Sequence, residues 1–183
     1  MGTRTYVFLS SDDSLLRNTA EVLMRLKRSE RECLNVARYW RSVGSDVGAV
    51  TEWAIWEDLG DHVNYRGPGS LGLVVTERAA KIYAGARWRG FLSIPPLRSV
   101  HLAAFRSIAI ALGSVGMAIT HDSLDSVGES FDSGAGLDSC IVVLRETLGP
   151  PQPDVKTVDT TVIAEARRCV PDVWYWEAFP KTS

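Results

Sequence analysis

The sequence predicts an α+β domain in which about four to five helices pack on a mixed or mainly antiparallel sheet. Short β-branched or aromatic runs are mixed with segments whose apolar residues recur at helical spacing. Several predicted strands follow one another with no helix between them, whereas a doubly wound parallel sheet would need strict alternation of strand and helix. The 183 residues, 45% of them hydrophobic, suit a single globular domain, 1–183, with its own core.

The first third of the chain predicts one strand followed by helix. Residues 6–9 form a short apolar run that ends in Ser and Asp residues, which cap helices by accepting from free backbone N–H groups. Apolar residues then recur at helical spacing across 12–43, which indicates one long helix or two, with a break near Arg28. Ser29 and Glu32 have the spacing of a capping box at the start of a second helix.

The middle of the chain predicts short strands and loops. Segments rich in β-branched and aromatic residues are predicted as strands: 50–56, 73–75 and 88–94. Residues 60–72 have a loop composition with a Gly-Pro-Gly turn. The segment 76–84 stays open between strand and helix, because Thr76 could cap a short helix.

The last part of the chain alternates helices with strands. Apolar stripes predict helices over 99–112 and 137–148, and a further helix from Thr160 or Thr161 to Pro171. The predicted strands are 117–120 and 173–179, and the polar, Gly- and Ser-containing segment 122–136 is predicted as a long loop.

Charge is sorted into blocks along the chain. No Lys or Arg occurs between Arg106 and Arg145, where five acids lie, or between Arg41 and Arg66, where five more lie. The segment between these blocks, 66–106, carries seven basic residues and one acid, although the net charge of the whole chain is only −2. Such blocks produce fields that steer partners, so they bear on binding more than on fold.

Composition narrows the classes of protein and site. The three cysteines, Cys33, Cys140 and Cys169, are far apart, which predicts reduced thiols and neither a disulfide framework nor a zinc knuckle. The N-terminus lacks the apolar core of a signal peptide, and the longest apolar stretch, near 108–112, is too short to span a bilayer. We therefore expect a soluble cytoplasmic protein without a membrane segment, metal or cofactor.

One catalytic candidate follows a predicted strand. His121 and Asp122, with Asp125 nearby, lie where a strand ends and a loop begins, a common position for active-site residues. A histidine exchanges protons near neutral pH, and an adjacent carboxylate would raise its pKa. These residues would suit a small hydrolase or transferase, with Arg66 or a basic-segment arginine holding an anionic substrate. The alternative is a loop histidine that caps a turn or faces solvent.

Tryptophans within acidic segments suggest a binding surface. Trp53 and Trp56 lie in one acidic block, and Trp174, Tyr175 and Trp176 crowd the last predicted strand, where neighbouring rings must point to opposite faces. Large rings rimmed by charge are typical anchors of protein interfaces. The predicted partner-binding residues are Trp53, Trp56, Glu57, Asp58, Asp61, Asp122, Asp125, Asp132 and Trp176. The alternative for the last strand is burial on both sides.

These observations favour a non-catalytic protein-binding module. We expect an inhibitor that binds a more basic protein, for example an immunity protein that neutralises a bacterial toxin. The enzyme that uses His121 and Asp122 comes second. A nucleic-acid-binding accessory protein that uses the basic segment 78–106 comes third, because the acidic blocks would repel phosphate unless they face away. The sequence leaves homo-oligomerisation open.

Overall fold

Seven strands form one antiparallel sheet in the computed structural model, which describes residues 4–11, 15, 17–122, 125–155 and 173–180. The strands are β1 (Arg4–Ser10), β2 (Ala54–Asp58), β3 (His62–Arg66), β4 (Gly72–Thr76), β5 (Ala79–Arg87), β6 (Gly116–His121) and β7 (Tyr175–Ala178). Their order in the sheet is β2-β3-β4-β5-β1-β6-β7, and every neighbouring pair is antiparallel. The predicted α+β class with a mainly antiparallel sheet is confirmed.

Six α-helices pack on the two faces of this sheet in the described ranges. They are α1 (Thr19–Lys27), α2 (Glu30–Ser42), α3 (Trp88–Ser93), α4 (Pro95–Leu112), α5 (Asp125–Asp132) and α6 (Leu137–Leu148). Short 3-10 turns occupy Asp46–Ala49 and Pro68–Ser70. Within the part of the chain that the structure describes, no helix has both the length and the apolar character that a bilayer crossing needs.

The alternation of side chains along the strands creates two cores. Val7 and Leu9 of β1 face a large first core that α1, α2, α3 and α4 cover. Phe8 points the other way, into a smaller second core under α5 and α6 that also contains Ala118 and Trp174. The sheet is thus a layer between two groups of helices of unequal size.

The second face of the sheet is covered on one side only. The helices α5 and α6 pack over Ala79 of β5, Phe8 of β1 and Ala118 of β6, and they extend as far as Val74 on β4 but not to Tyr83 on β5. Beyond this point β3 presents His62, Asn64 and Arg66, which are half-buried or exposed. No helix in the described ranges packs on this part of the face, which we call the open face.

The break between the first two helices lies where the sequence predicts it, but the capping box does not form. The Ser29 side chain makes no cap hydrogen bond; its hydroxyl donates to the Leu26 carbonyl over 2.7 Å. The N-terminus of α1 is capped by Asn18, whose side-chain oxygen accepts from the Glu21 N–H at 3.0 Å.

Three predicted segments have a different structure. The predicted loop 60–72 contains β3, the predicted strand 88–94 is α3, and the predicted loop 122–136 contains α5. In α3, Trp88, Phe91 and Leu92 are buried at spacings of three and four, so a helix turns all three into the first core. The strand preference of large aromatic residues loses to this packing.

The strand predicted over 50–56 begins only at Ala54, as β2. Residues 76–84, for which the sequence does not decide between strand and helix, belong to the β4–β5 hairpin. The Thr76 hydroxyl there accepts from the Ala79 N–H at 3.2 Å. The predicted helix from 160 to 171 and Cys169 lie outside the described residues. Cys33 and Cys140 are buried free thiols, and burial raises the pKa of each to about 11.

Candidate functional site

The edge strand β2 is exposed along its whole length. Among the described residues it pairs with β3 alone, so its other side presents backbone groups to solvent. The pairing contains a bulge: Ile55 lies opposite Tyr65 and Glu57 opposite Asn64, which leaves Trp56 with no partner residue on β3. A bulge bends an edge strand and redirects the side chain of its extra residue.

The redirected side chain, Trp56, is the most exposed large apolar residue of the described chain. The residue is 65% exposed, and the Arg66 guanidinium carbon lies 5.6 Å from the ring centroid. Ile55 and Leu59 on the same hairpin are also exposed. Three large apolar side chains are therefore in water at one edge of the sheet, a feature that marks binding surfaces.

Carboxylates surround these apolar side chains. Glu57 accepts a hydrogen bond from the Asn64 amide at 3.2 Å, and Asp58 accepts one from the Gly60 N–H at 3.1 Å. Asp61 lies 2.8 Å from the Nδ1 atom of the His62 ring. All three acids are exposed, so local hydrogen bonds orient them while they remain in solvent. We call Ile55, Trp56, Glu57, Asp58, Leu59 and Asp61 the hairpin surface.

A cleft of about 780 Å³ lies on the open face next to the hairpin surface. Its lining includes Asp61 from the β2–β3 turn, Glu77 from the β4–β5 turn and Asp132 from the end of α5. The two acidic blocks of the sequence therefore meet at one place in the fold. Arg17 and Lys81 also line the cleft, which gives it mixed charge.

Lys81 occupies the floor between the cleft and the second core. Its side chain is only 12% exposed, and its Nζ atom lies 3.2 Å from an Asp132 carboxylate oxygen. The ammonium also lies 4.5 Å from the Phe131 ring centroid and 5.4 Å from that of Tyr6. This lysine is held by one carboxylate and two aromatic rings, as expected for a cation with little access to water.

The other two predicted tryptophan anchors pack inside the molecule. Trp53 is half-buried against Gly67, where an added methyl group would lie 2.6 Å from the indole ring. Trp176 packs on Gly116 in the same way, with a corresponding distance of 2.4 Å. Both rings fill space next to a glycine, so Trp56 alone of the three predicted anchors is presented to solvent.

Two further predicted acids, Asp122 and Asp125, lie on either side of the residues 123–124, which the structure does not describe. Asp122 lies at the end of β6, where its carboxylate accepts from the Arg4 N–H at 2.7 Å and its own N–H donates to the Arg4 carbonyl. It thereby extends the β1–β6 ladder by one residue. Asp125 begins α5, and its side chain lies outside the described part of the structure.

His121 faces the first core. It lies opposite Thr5 on β1, is 1% exposed, and its ring centroid is 5.8 Å from that of Trp88. The Asp122 charge acts on Tyr6, which lies beside the second core. Burial is the larger cause of the raised pKa of Tyr6, and the Asp122 carboxylate adds to it. A catalytic histidine must reach substrate, whereas among the described residues the His121 side chain is enclosed and only Asp122 of the predicted pair is half-exposed.

The basic segment is divided among several elements. Trp88 and Phe91 are stacked at 5.6 Å in the first core and present no ring to solvent. Arg106 pairs with Glu177 at 2.7 Å, and Arg98 donates to the Leu92 carbonyl. Tyr83, which is half-buried, projects on the open face.

Strand β3 lies in the predicted loop 60–72, but its residues have the pattern of a strand. Within β3 the polar residues His62, Asn64 and Arg66 alternate with the apolar residues Val63 and Tyr65, which is the period of a strand with one wet face. The loop composition of the surrounding residues concealed this alternation.

Comparisons with protein-family models, with curated proteins and with solved structures found no match. In the described ranges, His, Cys, Asp and Glu side chains form no group of three that could hold a metal ion.

Proposed function

We propose that this protein is a non-catalytic protein-binding module that docks a more basic protein on the hairpin surface. The observation that supports this proposal is the bulge at Trp56, a residue that is 65% exposed at a sheet edge. Tryptophan is among the residues most enriched in interface hot spots, because one rigid side chain buries a large area.

The partner's charge follows from the carboxylates around this ring. Glu57, Asp58 and Asp61 are exposed next to Trp56, and they would attract a basic surface and speed its association. A second copy of this chain is the weaker candidate, because antiparallel pairing of two β2 strands would bring these acids against each other. The lysine- or arginine-rich surface of another protein is therefore the proposed occupant.

The exposed backbone edge of β2 offers a way to orient that partner. An extended segment of the partner can add a strand to an open sheet edge, with main-chain hydrogen bonds for affinity and side-chain contacts for specificity. Here a basic extended segment beside β2 would place its side chains near Trp56 and the acids. The bulge limits such pairing to a short length, since it interrupts the regular ladder.

An inhibitor of a basic enzyme or toxin is the proposed biological class. A surface with a central ring and a rim of carboxylates is suited to covering a cationic active site, which is how an immunity protein could neutralise a bacterial toxin. The cleft beside the hairpin, with Asp61 and Asp132 in its lining, could receive a basic side chain of such a partner. This class remains a proposal based on charge and shape.

The test compares capture by three forms of the protein. Wild type, the surface variant Trp56→Ala/Asp58→Lys and the control variant Val142→Ala/Glu146→Lys are immobilised and exposed to lysate from the source cells, with quantitative mass spectrometry of the retained proteins. The control changes an exposed apolar side chain and an exposed acid on α6. Support is a basic protein retained by wild type and control and lost by the surface variant.

Further variants then define the mechanism with the purified partner. Charge reversal at Asp58 and Asp61 should lower the association rate mainly at low salt, whereas Trp56→Ala should raise the dissociation rate. Equal retention of every captured protein by all three forms would overturn the proposal.

A further inference from the structure

A row of five residues crosses the open face from β3 towards β6. Arg66, Gly72, Tyr83, Tyr6 and Thr120 are in register across β3, β4, β5, β1 and β6. Strands in a sheet are about 4.8 Å apart, so side chains from such a row form one continuous surface on one face. The first three positions lie on the part of the face that α5 and α6 do not cover.

The Tyr83 ring lies flat on this surface. A methyl group added at Gly72 would fall 1.9 Å from the Tyr83 Cζ atom and 2.3 Å from its hydroxyl oxygen, so the ring extends across the backbone of β4 towards Arg66. Gly72 is buried beneath it and Tyr83 remains half-buried. The glycine thus makes room for an aromatic platform with one ring face on the sheet.

Arginines flank the platform. Arg66 lies between the Tyr83 position and the Trp56 ring, 5.6 Å from the latter. Arg4 lies two residues before Tyr6 on β1, where the register with β5 shifts and Arg4 lies opposite Arg87. Arg66 and Arg4 are both close enough to Tyr83 for their charges to oppose the rise in its pKa that burial, the larger cause, produces. Among the described residues, neither arginine has a carboxylate partner for its side chain.

This combination has a recognisable ligand chemistry. Flat rings on an open sheet stack with unpaired bases, and neighbouring arginines bind the phosphates between them. The acids of the cleft lie at the other end of the same face, by His62 and Thr76, and would keep an anionic backbone at the Arg66 end.

We propose that the surface formed by Trp56, Arg66, Tyr83 and Arg4, which we call the platform site, binds a nucleoside phosphate, either free or within a single nucleic-acid strand. The base stacks on Tyr83, and Arg66 on one side of the ring and Arg4 on the other each offer a guanidinium to a phosphate. Trp56, on the far side of Arg66, offers a second ring for an adjoining base. Tyr83 is the one aromatic residue of the predicted basic segment 78–106 that this site uses, because the rings of Trp88 and Phe91 lie in the core.

The experiment measures binding of two probe types to the full chain. Fluorescein-labelled single strands of twelve deoxythymidines or twelve uridines are followed by anisotropy, and UMP and AMP by calorimetry, with a duplex of the same length as control. Single-strand binding without mononucleotide binding identifies a strand as the ligand, and mononucleotide binding identifies the free nucleotide; both support the site. Failure of all single-stranded and mononucleotide probes, or equal affinity for the duplex, overturns it.

Variants of the proposed binding residues test whether the probes bind at this surface. Tyr83→Leu and Arg66→Gln should each weaken binding by about tenfold, since stacking and phosphate contacts contribute on this scale. The slope of log affinity against log salt should fall by about 0.7 in Arg66→Gln, as expected for one lost phosphate contact on a single strand. The control Arg145→Gln, an exposed arginine on α6, should change neither. Unchanged binding in Tyr83→Leu and Arg66→Gln overturns the proposal.

Two glycine variants test the Tyr83 platform without a substitution of Tyr83 itself, so the result does not depend on the folding of Tyr83→Leu. Gly72→Ala must lift the Tyr83 ring from the sheet, whereas an added Cβ at Gly128 meets nothing within 4 Å. Gly72→Ala should therefore weaken binding and Gly128→Ala should not. Tyr83→Leu and Gly72→Ala leave the hairpin surface and its Arg66–Trp56 contact in place, whereas Arg66→Gln removes that contact. Loss of nucleotide binding with intact protein capture in Tyr83→Leu and Gly72→Ala therefore separates this proposal from the protein-binding function.

Discussion

The two edges of the sheet carry similar residues in opposite environments. At one edge, β2 holds Trp56 outside the molecule; at the other, β7 and the residue before it hold Trp174, Tyr175 and Trp176 packed against the molecule. Trp174 lies in the second core and donates to the Gly149 carbonyl at 2.8 Å, while Tyr175 lies in the first core. An aromatic edge strand is therefore a core element where helices cover both of its faces and a surface where they do not.

The largest expected effect is the difference in stability between the two edges. Trp174→Ala should lower the free energy of unfolding by about 3–5 kcal/mol, because it opens a cavity in the second core and removes a hydrogen bond. Trp56→Ala should change it by no more than about 0.5 kcal/mol, as is usual for an exposed site. Urea unfolding of both variants measures this. Equal losses of stability would mean that Trp56 is also a structural residue.

The second prediction concerns the core beneath the helices. Burial lowers the pKa of His101 to about 4, and its Nδ1–H donates to the Leu97 carbonyl at 2.8 Å. Between this pKa and the ordinary value of about 6.5, the unfolded chain binds a proton that the native protein does not, so stability is lost as the pH falls through that window. The loss amounts to about 3 kcal/mol by linkage.

Unfolding at pH 7 and at pH 4.5, for wild type and His101→Phe, separates this group from the carboxylates. The variant should lose markedly less stability on acidification than wild type does. Identical pH dependence would show that His101 does not titrate as its burial implies.

A smaller effect should come from the glycine under the β7 edge. An added Cβ at Gly116 would lie 2.4 Å from the Trp176 ring and 2.8 Å from the Glu177 carbonyl oxygen. Gly116→Ala should cost about 1–3 kcal/mol, the usual range for overpacking. Gly128→Ala, in open space on α5, is the matched control and should be neutral or slightly stabilising. Thermal unfolding measures both, and a neutral Gly116→Ala would show that β7 is loosely packed.

The fold class was accessible from the sequence because periodicity records burial. The helix over Leu137–Leu148 and the strand at Gly116–His121 have patterns that a single face or a full burial dictates. The segment 88–94 was not accessible, since its aromatic residues suit a strand and only packing against the first core selects the helix.

The candidate site was accessible in part. Charge blocks indicated the acids, and the structure brings Asp61 and Asp132 from separate blocks to one cleft. The exposure of Trp56 rather than Trp53 or Trp176 depends on a bulge and on two glycines that receive the other rings. Tertiary packing determines which of the three tryptophans is exposed, and no local pattern in the sequence encodes it.

The most direct test of the hairpin surface is site-specific photocrosslinking in the source cells. Benzoylphenylalanine is placed at position 59, an exposed site on the hairpin surface that leaves Trp56 in place, and in another protein at position 142, an exposed site on α6. The protein-binding proposal predicts one adduct of defined mass at position 59, containing a basic protein, and no such adduct at position 142. No adduct at position 59, or the same adduct at position 142, would contradict it.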